Sequence, residues 1–212
     1  MMNQEGGRWH REVMTAPTEA TLRALQEASL LDTFYLAGGT GLALQCGHRL
    51  SQDLDFFSAE LFDEELLLQR LQSLRGWALV ARAPHTLHAT IEESRVTFLG
   101  YTYQSLFPLL TFQGVGVADA RDIACMKLSA VTSRGTKRDF VDVYIAARDF
   151  GLPGMLQWFE RKYAQANYNR LHVLKSLTFF DDAEKDPMPH MLLPVDWPEV
   201  VRFFLREVPQ LL

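Results

Sequence analysis

The chain has 212 residues, of which 48% are hydrophobic and 22% charged, with a formal net charge of −5. This length gives one domain, or one with a helical extension, and ample chain for a real core. The slight acidity excludes a protein held to nucleic acid mainly by net charge, while leaving room for a local basic surface.

Residues 1–14 read as a loosely held polar leader that Trp9 pins to the body. They lack the apolar core of a signal peptide, and no apolar run in the chain approaches a membrane span. A cytoplasmic protein without membrane association is expected. Thr15 caps a helix over about 18–30, with Pro17 in its first turn and an apolar stripe of Leu22, Leu25 and Leu30. A short apolar strand at 34–37 follows, then Gly38-Gly39. Thr40 is expected to cap a helix running through Ala43 and Leu44 to Gly47. Asp53-Leu54-Asp55-Phe56-Phe57 reads as the next strand, and Asp63 caps a helix over about 64–75 that Gly76 ends.

Three β-like stretches come next: Trp77–Arg82, Thr86–Glu92 and Val96–Tyr103, with Glu93-Ser94-Arg95 as the turn between the last two. Pro108 breaks the pattern, and Val115–Ala118 is a last short strand. From Asp119 onward the chain is helical. Asp119 or Asp122 caps a helix through Val131, a second runs from Lys137 to Phe150, and others follow at Leu156–Ala164 and Asn169–Leu177. The prolines at 187, 189 and 194 make 184–195 a loop before a final amphipathic helix over about 197–207. The fold class is α+β: a mixed sheet with flanking helices over 1–118, then a helical part over 119–212. Cys46 and Cys125 sit in apolar contexts without metal-ligand spacing and read as buried thiols of a reducing compartment.

Two stretches carry chemistry. In the first, Tyr35 to Ser58, two glycines allow a sharp turn that exposes N–H groups at a helix start, a place suited to phosphate. Asp53 and Asp55 share one face of their strand because side chains alternate with period two. Paired carboxylates repel unless a cation lies between them, and their hard oxygens suit Mg²⁺. A phosphate cradle beside a metal-binding pair is the minimum equipment for nucleotidyl transfer. In the second stretch, Lys127 lies within a mostly apolar helix, followed by Arg134, Lys137, Arg138, Asp139 and Asp142. One reading is structural: a lysine stem on apolar surface and first-turn acids favoured by the helix dipole. The functional reading has Lys127 holding the triphosphate and Asp139 or Asp142 contributing to the active site.

GGTGLALQCGHRLSQDLDFF, with the Lys127 helix and the Lys137-Arg138-Asp139-x-x-Asp142 run, resembles the AbiEii/AbiGii-type abortive-infection toxins. These are nucleotidyltransferase-like proteins of the minimal nucleotidyltransferase and polymerase β superfamily. His48, Arg49 and Ser51 fit the pattern between the motifs, and SLTFFDDAEKDPMPHMLLPVDW in the tail resembles the family as well. The tail carries no evident chemistry, and Asp181, Asp182 and Glu184 are expected as loop or cap residues. The resemblance implies a nucleotidyltransferase-type sheet and a bacterial toxin that moves a nucleoside monophosphate from a nucleoside triphosphate to an acceptor, RNA such as tRNA. It also implies a cognate antitoxin as partner. On this reading Gly38, Gly39, Thr40, Arg49 and Lys127 bind nucleotide, and Asp53 and Asp55 bind Mg²⁺ or Mn²⁺. Lys127, Asp139 and Asp142 complete the catalytic set with the two strand aspartates.

One departure from the superfamily pattern stands out. Its third carboxylate belongs on a neighbouring strand, and the stretch from Arg95 to Tyr101 contains no acid. Thr97 stands where one is wanted, and Glu92 and Glu93 lie before the turn. Either Asp139 or Asp142 substitutes, or the metal site is weaker, or the scaffold is a catalytically inactive nucleotide- or RNA-binding module.

Overall fold

The computed structural model describes residues 9–166 and 168–212. Of the leader, residues 1–8 lie outside the described residues, while Trp9 packs on Phe112 with ring centroids 5.2 Å apart. The chain forms two compact units, Met1–Asp119 and Ala120–Leu212.

The first unit begins with helix α1 (Ala16–Glu27), capped by Thr15 as its sequence dictates. It ends three residues before Leu30, whose own amide donates to Leu25 O in the turn that follows. Strand β1 (Tyr35–Leu36) leads into helix α2 (Gly38–Cys46), which stops at Gly47 in the left-handed conformation. Strand β2 (Asp53–Ser58) is followed by helix α3 (Glu64–Leu71), capped by Asp63 through the amides of Glu65 and Leu66. Then come β3 (Trp77–Ala83), β4 (Thr86–Ile91), β5 (Ser94–Gly100), β6 (Leu110–Phe112) and β7 (Val115–Val117). They build a seven-stranded sheet in the order β3-β4-β5-β2-β1-β7-β6. β2 runs parallel to β5 and β1 parallel to β7, while the other neighbours are antiparallel. The sheet is therefore mixed, as expected.

Two local expectations change. Ile91 pairs with Ser94, so Glu92-Glu93 form the turn between β4 and β5, with Glu92 at φ 50°. β6 was not foreseen: it pairs with β7 through Gln113-Gly114, both at positive φ, the geometry of a tight two-residue hairpin. The core of this unit joins Leu22 and Leu25 of α1, Leu54 and Phe56 of β2, Leu71 of α3, and Leu87, Val96 and Phe98 of the central strands. Alternation explains which residues enter it: in β2, β4 and β5 every second side chain is buried.

The second unit is helical among the described residues. Helix α4 (Ala120–Ser133) packs with α5 (Lys137–Phe150), α6 (Leu152–Lys162) and α7 (Arg170–Ser176). α6 starts at Leu152, four residues before the expected Leu156, because Gly151 and Pro153 open it rather than break the chain. A short helix α8 (Asp181–Lys185) occupies what was expected to be loop, and α9 (Trp197–Glu207) closes the unit, capped by Asp196. Phe140 of α5 is the centre of its aromatic core, in contact with Phe180, Trp197 and Phe204.

Among the described residues no helix is long and apolar enough to cross a membrane. Cys125 is buried, and burial beside Asp122 pushes its thiol up to about 12, whereas Cys46 is only partly buried.

Candidate active site

Leu54, Phe56 and Ser58 of β2 are buried, which leaves Asp53, Asp55 and Phe57 on the opposite face. The register across the sheet fixes their neighbours. Asp53 stands beside Arg95 and Asp55 beside Thr97 on β5, and Thr97 in turn faces His88 on β4. No acid of β5 lies next to either aspartate.

The start of α2 meets this face. The Ala37 amide donates to Asp55 O at 2.9 Å, and the helix begins at the next residue. Gly38 has φ +60°, and a Cβ there would collide with the Asp55 carboxylate, lying 3.0 Å from its Cβ and in still closer contact with Oδ2. Glycine is therefore required twice over, for its backbone conformation and for the close approach. The Asp55 carboxylate consequently sits against the helix N-terminus, where the first N–H groups have no acceptor within the helix. Gly39 has a similar relation to Arg49: a Cβ would overlap the guanidinium, with Cζ 3.4 Å away. Arg49 is buried and donates from Nη1 to Leu50 O at 3.0 Å.

Thr40 departs from its expected cap position. The cap residue is Ala37, and Thr40 lies inside the helix with its side chain fully buried. Its hydroxyl contacts Ser51 Oγ at 2.7 Å and donates to the main-chain carbonyl of Asp53. With one proton already directed to that carbonyl, it accepts from Ser51. Thr40 and Ser51 thus fasten the helix start to the head of β2, which positions the Asp53–Asp55 segment.

The second group of expected site residues also comes together, within the helical unit. Lys127 of α4 is buried, with Nζ 2.9 Å from Asp139 Oδ1 and 2.7 Å from Asp142 Oδ2, both on α5. Asp139 receives Arg134 in a two-pronged contact, Nε to Oδ2 at 2.8 Å and Nη2 to Oδ1 at 3.0 Å, and the Thr136 hydroxyl at 2.7 Å. Burial alone would raise the Asp139 pKa. Lys127 and Arg134 outweigh it and hold the carboxyl at about 2. The ammonium is a fixed charge between two carboxylates, not a lysine reaching into solvent.

Sequence reasoning missed the supports of this cluster. Thr136 caps α5, and Asp186, after α8, accepts the Lys137 amide at 3.0 Å. Lys137 lies over the Trp197 ring, 5.0 Å from its centroid. The tail motif therefore holds the helix that carries Asp139 and Asp142; the signal was present as the family-like run, without a chemistry to attach to it. Asp122 and Lys162 form a second buried pair at 2.8 Å, linking α4 to α6. No spacing rule announces a pair 40 residues apart.

Comparison with known proteins places these features. Residues 20–113 and 94–210 match the family described as nucleotidyl transferase AbiEii toxin, type IV TA system. An uncharacterised protein of Aquifex aeolicus (strain VF5) is 31% identical over 201 residues, covering 90% of this chain and 94% of that protein. The crystal structure of JHP933 from Helicobacter pylori is similar in fold, with 18% identity, a TM-score of 0.51, and 92% of this chain and 89% of that chain covered. MenT4, a nucleotidyltransferase toxin from Mycobacterium tuberculosis H37Rv, is similar at 16% identity and a TM-score of 0.51, over 92% of this chain and 86% of that one. The matches extend over both units, and the chain belongs to the AbiEii nucleotidyltransferase toxin family.

Proposed function

We propose that the protein transfers a nucleoside monophosphate from a nucleoside triphosphate to an RNA acceptor such as tRNA, with Mg²⁺ or Mn²⁺, as the toxin of a toxin–antitoxin pair. The observation that carries this reading is the Asp53–Asp55 face of β2, with the Asp55 carboxylate pressed against Gly38 at the start of α2. RNA as acceptor and a cognate antitoxin as partner rest on membership of the toxin family.

Two carboxylates on one strand face form a hard-oxygen donor set that fits a divalent cation, and Asp53 and Asp55 would hold it. Such an ion, when bound, supplies positive charge to phosphate oxygens. The amides of Gly38 and Gly39 at the helix start favour phosphate oxygens. Arg49, packed under Gly39, adds positive charge behind that turn. Thr40 contributes through position, since its hydroxyl is committed to Ser51 and Asp53. Lys127, Asp139 and Asp142 are carried as a catalytic group on the family pattern, with the two carboxylates fixing the lysine ammonium. An acceptor hydroxyl attacks the α-phosphorus and pyrophosphate leaves.

Replacing Asp53 or Asp55 by Ala removes half of the proposed donor set. Either variant is expected to lose Mg²⁺-dependent nucleotide binding by a factor of at least about 10, measured by calorimetry with each nucleoside triphosphate. Wild-type affinity in either variant would sink the metal assignment. Thr97 beside Asp55, where an acid was wanted, favours a second reading: a module that binds nucleotide or RNA without turnover. Metal-dependent binding without transfer to any acceptor would support it.

A further inference from the structure

The face of the central strands that bears Asp53 and Asp55 carries further polar side chains, among them His88, to which the preceding reading gives no role. Leu87, Ala89 and Ile91 of β4 are buried, so Thr86, His88 and Thr90 occupy its other face. On β5, Val96 and Phe98 are buried, and Arg95 and Thr97 share the other face. The register aligns Asp55 with Thr97 and Thr97 with His88, so the three stand side by side across adjacent strands. Neighbouring strands lie about 4.8 Å apart, which puts the backbone of His88 roughly 10 Å from that of Asp55 on the same face. An imidazole and a carboxylate reaching out from these positions can address a single bound substrate. His88 and Thr97 are both half-buried, and His88 Nδ1 lies 3.2 Å from Thr97 Oγ1.

We propose that His88 is the general base of the transfer reaction, with Thr97 orienting its ring. This deepens the nucleotidyltransferase reading and rests on it. Nδ1–H donates to the Thr97 hydroxyl, which leaves Nε2 with a lone pair to take a proton. The proton of the acceptor hydroxyl passes to Nε2. The acceptor oxygen forms its bond to the α-phosphorus. The bond from the α-phosphorus to the bridging oxygen breaks, its electron pair leaves on pyrophosphate, and the imidazolium later returns its proton to solvent.

The other acids on the page suit this role less well. Asp53 and Asp55 are assigned to the cation. Asp139 is held near pKa 2 by Lys127 and Arg134 and is a poor proton acceptor at neutral pH, and the buried Asp142 is committed to the same Lys127 ammonium at 2.7 Å. The surroundings of His88 are simple. Thr97 and Arg95 face it from β5, the neutral Ala81 pairs with it on β3, Thr86 and Thr90 flank it on β4, and Asp55 and Asp53 stand one strand further on.

The test is label transfer from an α-labelled nucleoside triphosphate to total cellular RNA in Mg²⁺, over a range of about pH 5.5 to about 8.5. Wild type, His88→Gln, Thr97→Val and Asp55→Asn are compared, with nucleotide affinity measured separately. The expected result for His88→Gln is a rate at least about 100-fold lower at pH 7.5, with nucleotide affinity within about twofold of wild type. Wild-type rate should fall toward the acid end of this range, since only a neutral imidazole accepts a proton, and the variant should lose that dependence. Thr97→Val keeps the imidazole and is expected to lose about tenfold, with a pH profile that differs in shape from that of wild type. A His88→Gln rate within about threefold of wild type, while Asp55→Asn abolishes transfer, overturns the role of His88 alone. Wild-type transfer in Asp55→Asn, or no transfer by wild type to any RNA, overturns the underlying reading and the proposal with it.

Discussion

Asp139 is ionised under the pull of three donors: Lys127, Arg134 and the Thr136 hydroxyl. Its pKa in the fold, about 2, lies below the ordinary 3.8. The ionised form therefore stabilises the fold above about pH 4, and that contribution disappears as pH falls from about 4 through about 2. Asp139→Asn should lower stability at pH 7 by roughly 2 kcal/mol, read from urea denaturation, because Lys127 and Arg134 lose their shared charge. The gap between variant and wild type should close as pH approaches 2; a gap constant from pH 7 to 3 would contradict the assignment. At this scale the sequence was informative where one rule decides the outcome. Period-two alternation was enough to put Asp53 and Asp55 on one face. It was uninformative where a side chain has two uses. A threonine after two glycines can cap a helix or tie it to a strand, and the partners that decide, Ser51 Oγ and Asp53 O, lie 11 and 13 residues away.

Helices with a clear apolar stripe were legible to within a few residues: α1 and α3 also from their caps Thr15 and Asp63, α5 and α9 from the stripe alone. Elements fixed by backbone geometry were not. The Gln113-Gly114 turn has no asparagine or aspartate to announce its positive φ values, so β6 went unread. α8 has five residues, too few for a helical period, and is held by tertiary contacts such as Ala183 in the core. The tail found its explanation at this scale too. Asp186 accepts the Lys137 amide at the start of α5, while Phe180 and Trp197 pack on Phe140 one turn further in. Asp186→Ala leaves an amide of the first helical turn without its acceptor and should lower stability by about 1 kcal/mol in urea denaturation. A change under about 0.3 kcal/mol would mean that Thr136 alone fixes the helix start.

The chain as a whole is two compact units, and the relationship to the Aquifex aeolicus protein runs across both, covering 90% of this chain. The family assignment therefore does not rest on the glycine turn and aspartate pair alone. The resemblance visible in the sequence already extended from Gly38 to the tail, because those motifs are short, ordered and far apart. Local propensity could not supply the order of the seven strands, which depends on pairings between distant segments such as β2 with β5 and β1 with β7. Nor could it supply the buried Asp122–Lys162 pair, whose side chains are both 1% exposed and which joins two helices of the second unit.

The central claim is that the Asp53–Asp55 face transfers a nucleotide. Its most direct test is incubation of the purified protein with each of the four α-labelled nucleoside triphosphates, Mg²⁺ or Mn²⁺, and total tRNA, beside Asp55→Asn. Label should appear on RNA with wild type, vanish when the metal is chelated, and fall by at least about 100-fold in the variant. Label transferred equally by Asp55→Asn, or transfer that persists in excess chelator, would contradict the claim.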